Sequence, residues 1–87
     1  MAKFEIAFRR SVAKDLRAIP KQDVARILAR ITDLADNPRP VDATRLSAQA
    51  RYRIRQGVYR ILYGIEDDRL VVMVVKVGHR RDVNRTR

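Results

Sequence analysis

The sequence of 87 residues contains no cysteine. Disulfides and thiolate metal ligands are therefore excluded as sources of stability, and the chain suits a reducing cytoplasm. A chain of this length buries only part of the surface that its unfolded form exposes, so we expect one core and a single domain over residues 1–87. Its stability must come from side-chain packing or from a partner.

Long apolar segments are also missing. The longest apolar run, from Leu70 to Val75, is far too short to cross a bilayer. The first residues, Met1 to Glu5, lack the apolar stretch of a signal peptide. We therefore expect a soluble, cytoplasmic protein that does not associate with membranes.

Residues that could hold a metal ion are scarce. His79 is the single histidine, and Asp67-Asp68 stands where a hairpin turn is expected, which is enough to explain both aspartates. A metal site needs several clustered histidine, cysteine or carboxylate ligands. We expect no metal and no cofactor.

Acidic residues are few, and basic residues dominate the second half of the chain. The net charge is +10, from 20 Lys and Arg against 10 Asp and Glu, and 16 of the 20 bases are arginine. Residues 37–87 carry 12 bases and 5 acids, a net charge of +7, and five arginines but no acid lie between Asp42 and Glu66. This pattern predicts a polyanionic partner, either nucleic acid or an acidic protein segment.

The first half of the sequence predicts one strand and two helices. Residues Lys3 to Phe8 alternate apolar and other side chains, as a strand with one buried face does. Apolar residues at helical spacing run from Val12 to Ile19, where Pro20 ends the helix. A second apolar stripe runs from Val24 to Ala35 and is ended by Asn37-Pro38.

The second half predicts a meander of three strands. Residues 37–50 show no clear period and are expected to form an irregular connection. Strands are predicted at 51–56, 58–65 and 70–77, with a turn at Gly57. The fold class is therefore α+β: an N-terminal strand, a two-helix hairpin and an antiparallel three-strand meander that together form a small twisted sheet.

Arginines recur on one side of this meander. Arg53 and Arg55 lie two residues apart on one strand, so they share a face, and the turn would bring Arg60 close to them. A further basic cluster, Gly78 to Arg81, follows the last strand. One interpretation is a solvated basic face; the other is a phosphate clamp, because grouping like charges does nothing for folding stability.

Three segments of the sequence resemble the C-terminal signature of RelE-type toxins, members of the RelE/ParE family of toxin–antitoxin toxins. They are Tyr52 to Tyr63, Glu66 to Asp68, and Val74 to Asp82, which contains Gly-His-Arg-Arg. The helix end Leu34 to Pro38 and the pair Arg45-Leu46 follow the order of the same family. The resemblance therefore spans nearly the whole chain and implies a RelE-like microbial ribonuclease fold.

The resemblance also implies an activity. A RelE-type toxin enters the ribosomal A site and cuts mRNA there without a metal, using the 2′-hydroxyl as the nucleophile on the adjacent phosphate. Carried over by position, Arg60 and Arg80 match catalytic arginines that stabilise the transition state. Arg53 and Arg55 match the family's basic pair on the strand, and we expect them and Arg81 to bind RNA phosphates. Translation stops as a result.

One position departs from the family pattern. Asn84 stands where several relatives have a tyrosine that orients or activates the nucleophile, and asparagine cannot act as a base. Arginine is also a poor base, since its guanidinium stays protonated at neutral pH. We therefore expect His79, or a tyrosine at the rim of the core, to take this role, unless the rate is lower and positioning by the ribosome carries more of the catalysis.

Two alternative functions stay open. A ParE-like toxin has the same fold but poisons DNA gyrase without nuclease activity, and Asn84 favours it, whereas the set Arg53, Arg55, Arg60 and Arg80 disfavours it. A generic nucleic-acid-binding domain would bind phosphates with a steep salt dependence and cut nothing. Either toxin function implies an acidic, RelB-like antitoxin that folds on binding, with the ribosome and mRNA as further partners in the nuclease case. Promoter DNA would be bound only through the toxin–antitoxin complex.

Overall fold

A mixed five-stranded sheet forms the frame of the domain. The computed structural model describes residues 3–46 and 51–79. In chain order the elements are β1 (Glu5–Phe8), α1 (Arg10–Arg17), α2 (Lys21–Asp33), β2 (Thr44–Leu46), β3 (Arg51–Gln56), β4 (Tyr59–Glu66) and β5 (Val71–His79). The strand order is β1-β5-β4-β3-β2, with β1 parallel to β5 and the other pairs antiparallel. The predicted α+β fold is confirmed.

The connection after α2 contains a strand that the sequence pattern did not predict. Residues 37–50 were expected to be irregular, but Thr44 to Leu46 pair with β3 as the edge strand β2. Three residues are too few to show a period of two, so this strand depends on its partner in the sheet. The prediction was wrong at this point.

Both helices cover the same face of the sheet. Their apolar stripes pack on the side chains of β3, β4 and β5 that point toward them, as the alternation of each strand requires. The core residues that are less than 2% exposed are Val12, Ile27, Ile31, Leu34, Ile54, Ile61, Tyr63, Val72, Val74 and Val77. No helix or strand of the described residues covers the opposite face, which we call the open face.

The hairpin between β3 and β4 sets the register of the site. Gln56 pairs with Tyr59 across a two-residue turn of Gly57 and Val58. Gly57 has a φ of 62°, which suits the first central position of a type II′ turn, where glycine is favoured. The turn therefore places Arg55 directly opposite Arg60.

A network of tyrosine, arginine and aspartate side chains lies at the far end of the sheet from the β3–β4 turn. Arg39 donates two hydrogen bonds to the Asp67 carboxylate, at 3.1 and 2.8 Å, and one to the Tyr52 hydroxyl at 3.1 Å. These hydrogen bonds hold the pKa of Asp67 below its usual value. Tyr52 in turn stacks on Tyr63, with ring centroids 5.8 Å apart. The loop after α2 is thereby tied to the turn between β4 and β5.

Tyr63 is the most deeply buried part of this network. It is 0% exposed, and its hydroxyl donates a 2.7 Å hydrogen bond to the carbonyl oxygen of Pro38. Burial raises its pKa from 10.0 to about 12, because the phenolate would lie in an apolar core.

Replacement of Tyr63 by phenylalanine is expected to lower the free energy of unfolding at pH 7 by about 1–2 kcal/mol, because the Pro38 carbonyl loses its donor.

In the wild type the raised pKa of Tyr63 also makes the free energy of unfolding depend on pH. Stability is complete below the unfolded-state pKa near 10 and falls by up to about 2–3 kcal/mol as the pH rises toward about 12, because the unfolded tyrosine ionises first. Urea unfolding from pH 8 to 12 measures both effects. An equally steep alkaline decline in Tyr63→Phe and in the wild type would contradict this assignment.

Candidate nucleic-acid-binding surface

Three arginines lie together on the open face, at the end of the sheet near the β3–β4 turn. Ile54 and Ile61 are 0% exposed and point to the helices, so Arg53, Arg55 and Arg60 point to the other side. We call these three residues the basic strip. The sequence prediction that the turn brings them together is confirmed by the register of β3 and β4.

The register also shows what lies beside the basic strip on β5. Arg60 pairs with Arg55 on one side and with Gly78 on the other, so no side chain stands across from Arg60 on β5. In the next row, Leu62 lies between Arg53 and Lys76. Paired residues of antiparallel strands have Cα atoms about 4.5–5.5 Å apart, so the guanidiniums of Arg55 and Arg60 can act on one ligand.

Charge is separated along the open face. Glu5 and Glu66 both pair with Val71, at the opposite end of β5 from Gly78. Glu66 forms an ion pair with Arg69, with 3.3 Å between Oε1 of Glu66 and Nη1 of Arg69. The acids therefore lie away from the basic strip, and a phosphate would meet cations at one end of the sheet.

His79 lies on the other face of the sheet from Arg60. It pairs with Tyr59, and the two rings meet edge to face with centroids 6.2 Å apart. Tyr59 and Arg60 are neighbours in one strand, so their side chains point to opposite faces. His79 therefore lies close to Tyr59 at the end of β5, on the face of the sheet opposite to the basic strip. The predicted residues Arg80, Arg81 and Asn84 lie outside the described residues.

The tyrosines differ in their availability for proton transfer. Tyr63 is buried and has a raised pKa, and the Tyr52 hydroxyl accepts a hydrogen bond from Arg39 at the far end of the sheet. Tyr59 is half-buried and lies at the same end as Arg60 and His79. A tyrosine that serves at the rim of this site would therefore be Tyr59.

Two features of the site were missed by sequence reasoning. Gly78 faces Arg60 and Lys76 faces Leu62 because β5 has a bulge: Leu62 pairs with Lys76 and Tyr63 with Val74, which leaves Val75 without a partner in the register. The sequence carries no signal of this bulge, because residues 70–75 are all apolar and show no alternation that the bulge would interrupt.

Two general findings concern residues 3–46 and 51–79. No helix in these ranges is long and apolar enough to cross a membrane. The same ranges contain no group of three or more His, Cys, Asp or Glu side chains that could hold a metal ion.

Known proteins match this chain over almost its whole length. The family described as "ParE toxin of type II toxin-antitoxin system, parDE" matches residues 6–84. Toxin RelG of Mycobacterium tuberculosis is 28% identical over 88 residues, which cover 94% of this chain and 97% of RelG. The crystal structure of the toxin–antitoxin complex RelBE2 from the same organism matches with a TM-score of 0.80 and 26% identity, over 91% of this chain and 93% of that chain. An archaeal RelE–RelB complex from Pyrococcus horikoshii has the same fold, with a TM-score of 0.78 and 24% identity over 90% of this chain and 96% of that chain.

The solved RelBE2 and Pyrococcus horikoshii structures therefore share the fold of this chain over 91% and 90% of its length. The chain belongs to the RelE/ParE superfamily of toxins from type II toxin–antitoxin systems. The family resemblance that the sequence motifs indicated is thereby confirmed.

Proposed function

We propose that this toxin is a metal-independent endoribonuclease that cuts mRNA in the ribosomal A site and so inhibits translation. The observation that carries the proposal is the basic strip, in which three arginines converge on an open sheet face beside Gly78. Guanidinium groups bind phosphate through paired, charge-assisted hydrogen bonds, so an RNA phosphate suits this cluster. The similarity to toxin RelG supports the assignment of this chain as a toxin.

The proposed reaction is a transesterification within the RNA strand. The 2′-hydroxyl loses its proton and attacks the adjacent phosphorus, and the bond from phosphorus to the 5′-oxygen of the next nucleotide breaks. The products are a 2′,3′-cyclic phosphate and a 5′-hydroxyl, which receives a proton. We assign stabilisation of the pentacovalent phosphate to Arg60 and Arg80. We assign binding of the flanking phosphates to Arg53, Arg55 and Arg81.

The general base is His79 or Tyr59 in this proposal. Both rings lie at the end of the sheet where Arg60 meets Gly78. Histidine is the side chain that serves most often as a general acid or base, which favours His79 over Tyr59. Tyr59 and His79 both lie on the helix-covered face, so the RNA would have to reach around the end of the sheet to meet either of them.

A ParE-like function is the second candidate. The family that matches the chain is that of the ParE toxin. Asn84 also stands where several RelE-type relatives have a tyrosine that orients or activates the nucleophile. In that case the chain would poison DNA gyrase and would have no nuclease activity of its own. The basic strip would then bind an acidic surface or DNA phosphates.

We further propose that an acidic, RelB-like antitoxin neutralises the toxin and that promoter DNA is bound only by the complex of the two. The RelBE2 structure is a toxin–antitoxin complex, and the Pyrococcus horikoshii structure is a RelE–RelB complex. An apolar groove on the helix side offers a docking place, and it is lined by Phe8, Arg9, Arg10, Val12, Ala13, Leu16 and Leu28. Arg9 and Arg10 are exposed beside the apolar side chains, so an amphipathic helix with acidic flanks would fit.

The test uses the purified chain with one mRNA in two reactions and with DNA gyrase in a third. Primer extension maps cuts in the mRNA during translation in vitro and in the same mRNA without ribosomes, and a parallel assay measures DNA breaks made by gyrase. We expect cuts that require the ribosome and no gyrase-dependent breaks. Intact mRNA together with DNA breaks would establish the ParE-like function instead.

A further inference from the structure

We propose that Asp15 is a positioning residue that anchors the end of β5 and thereby aligns the groups around Arg60. The inference rests on the proposed nuclease function. It starts from the place where β1 leaves the sheet. The last backbone hydrogen bond between the two chain segments runs from the Arg9 amide to the Val74 carbonyl, at 2.8 Å, and α1 begins at the next residue.

Beyond Val74, the last residues of β5 have β4 as their neighbour on one side only. On the side where β1 no longer pairs with β5, α1 packs against β5. There Asp15 supplies the hydrogen-bond acceptor that a neighbouring strand would otherwise provide. Its Oδ2 atom accepts a 3.1 Å hydrogen bond from the Val77 amide. Its Oδ1 atom lies 3.6 Å from the Lys76 ammonium. Each carboxylate oxygen therefore holds one of two consecutive residues.

The burial of these groups makes the contact specific. Val77 is 1% exposed, and the Asp15 side chain is 15% exposed. A buried amide needs an acceptor, and water has little access to this one. The bulge at Val75 changes which backbone groups point outward, so the Val77 amide faces Asp15 instead of pairing within the sheet.

The residue after Val77 is Gly78, which faces Arg60, and the next is His79, which faces Tyr59. Arg80 follows directly in the chain. A shift at Val77 would therefore displace the site's β5 side relative to the basic strip, which lies on β3 and β4. Displacements of this kind reduce catalysis strongly while they leave phosphate binding by the other strands nearly intact.

The test compares Asp15→Ala, Asp15→Asn and the control Asp33→Ala, which removes an exposed carboxylate at the end of α2. Single-turnover cutting of a preformed ribosome–mRNA complex is measured at several toxin concentrations, at a temperature where circular dichroism shows each variant folded. We expect Asp15→Ala to lower the rate at saturation by about tenfold or more, with the half-saturating concentration changed less than about twofold. Asp15→Asn keeps an oxygen for the Val77 amide and should retain at least about half of the rate, and Asp33→Ala should match the wild type.

Amide hydrogen exchange supplies a readout that does not depend on cutting. The Val77 amide should exchange at least about tenfold faster in Asp15→Ala than in the wild type, while Ile61 in the interior of the sheet stays protected. Wild-type cutting by a folded Asp15→Ala variant would overturn the inference, and so would an unchanged exchange rate at Val77. If the alanine variant does not fold, loss of cutting in Asp15→Asn with Val77 still protected would overturn it. A wild type that cuts nothing would overturn the proposed function, and the catalytic part of this inference with it, while the exchange data would still decide whether Asp15 anchors the strand.

Discussion

Replacement of Arg60 by alanine is expected to lower the rate of mRNA cutting on the ribosome by about 100- to 1,000-fold. Arg60 is half-buried on the open face near the β3–β4 turn, between Arg55 and Gly78. Its guanidinium can therefore donate hydrogen bonds to a phosphate that gains charge in the transition state. Single-turnover cutting of a preformed ribosome–mRNA complex measures this effect without contributions from product release.

The matched control is Arg26→Ala, which removes the same charge from the exposed side of α2, in the helical layer on the other side of the sheet. It should cut within about twofold of the wild type, because surface charge alone acts weakly at this distance in salt. Similar losses in both variants would mean that net charge, and not the position of Arg60, determines activity. Arg60→Lys should recover little, since lysine cannot donate bidentately.

Replacement of Ile27 by alanine should have the largest effect on stability, a loss of about 2–5 kcal/mol in the free energy of unfolding. Ile27 is 0% exposed and lies in the stripe of α2 that covers the sheet. Removing three carbons there leaves a cavity that the neighbouring side chains fill only in part. A domain of this size has a total stability of only about 4–13 kcal/mol, so this loss is a large fraction of the total.

Leu28→Ala is the control for this experiment. Leu28 is the next residue in the same helix but is 38% exposed, so its truncation should lower stability by less than about 1 kcal/mol. Urea unfolding followed by circular dichroism gives both values. Equal losses in the two variants would contradict the packing of α2 described above.

Strands with strict alternation could be predicted from the sequence. In residues 51–55 arginine alternates with Tyr52 and Ile54, and the strand predicted over 51–56 has the same bounds as β3. The turn at Gly57 then determined the register of Arg55 and Arg60. The three-residue strand β2 could not be predicted, because a segment this short takes its structure from the partner strand.

The position of His79 shows why the site was only partly predictable. Uninterrupted alternation along β5 would place His79 on the open face, together with Val71 and Met73. The bulge at Val75 reverses the alternation, and His79 lies opposite Tyr59 on the helix-covered face. A bulge depends on long-range pairing, as does the contact between Asp15 and Val77, which are 62 residues apart in the sequence.

The chemical form of the cut ends tests the nuclease function most directly. Purified wild-type chain is added to a ribosome stalled on a defined mRNA, and both fragments are analysed by mass spectrometry. Attack by the 2′-hydroxyl predicts a 2′,3′-cyclic phosphate on the upstream fragment and a 5′-hydroxyl on the downstream fragment. A 3′-hydroxyl with a 5′-phosphate, or an mRNA that stays intact, would contradict the proposed function.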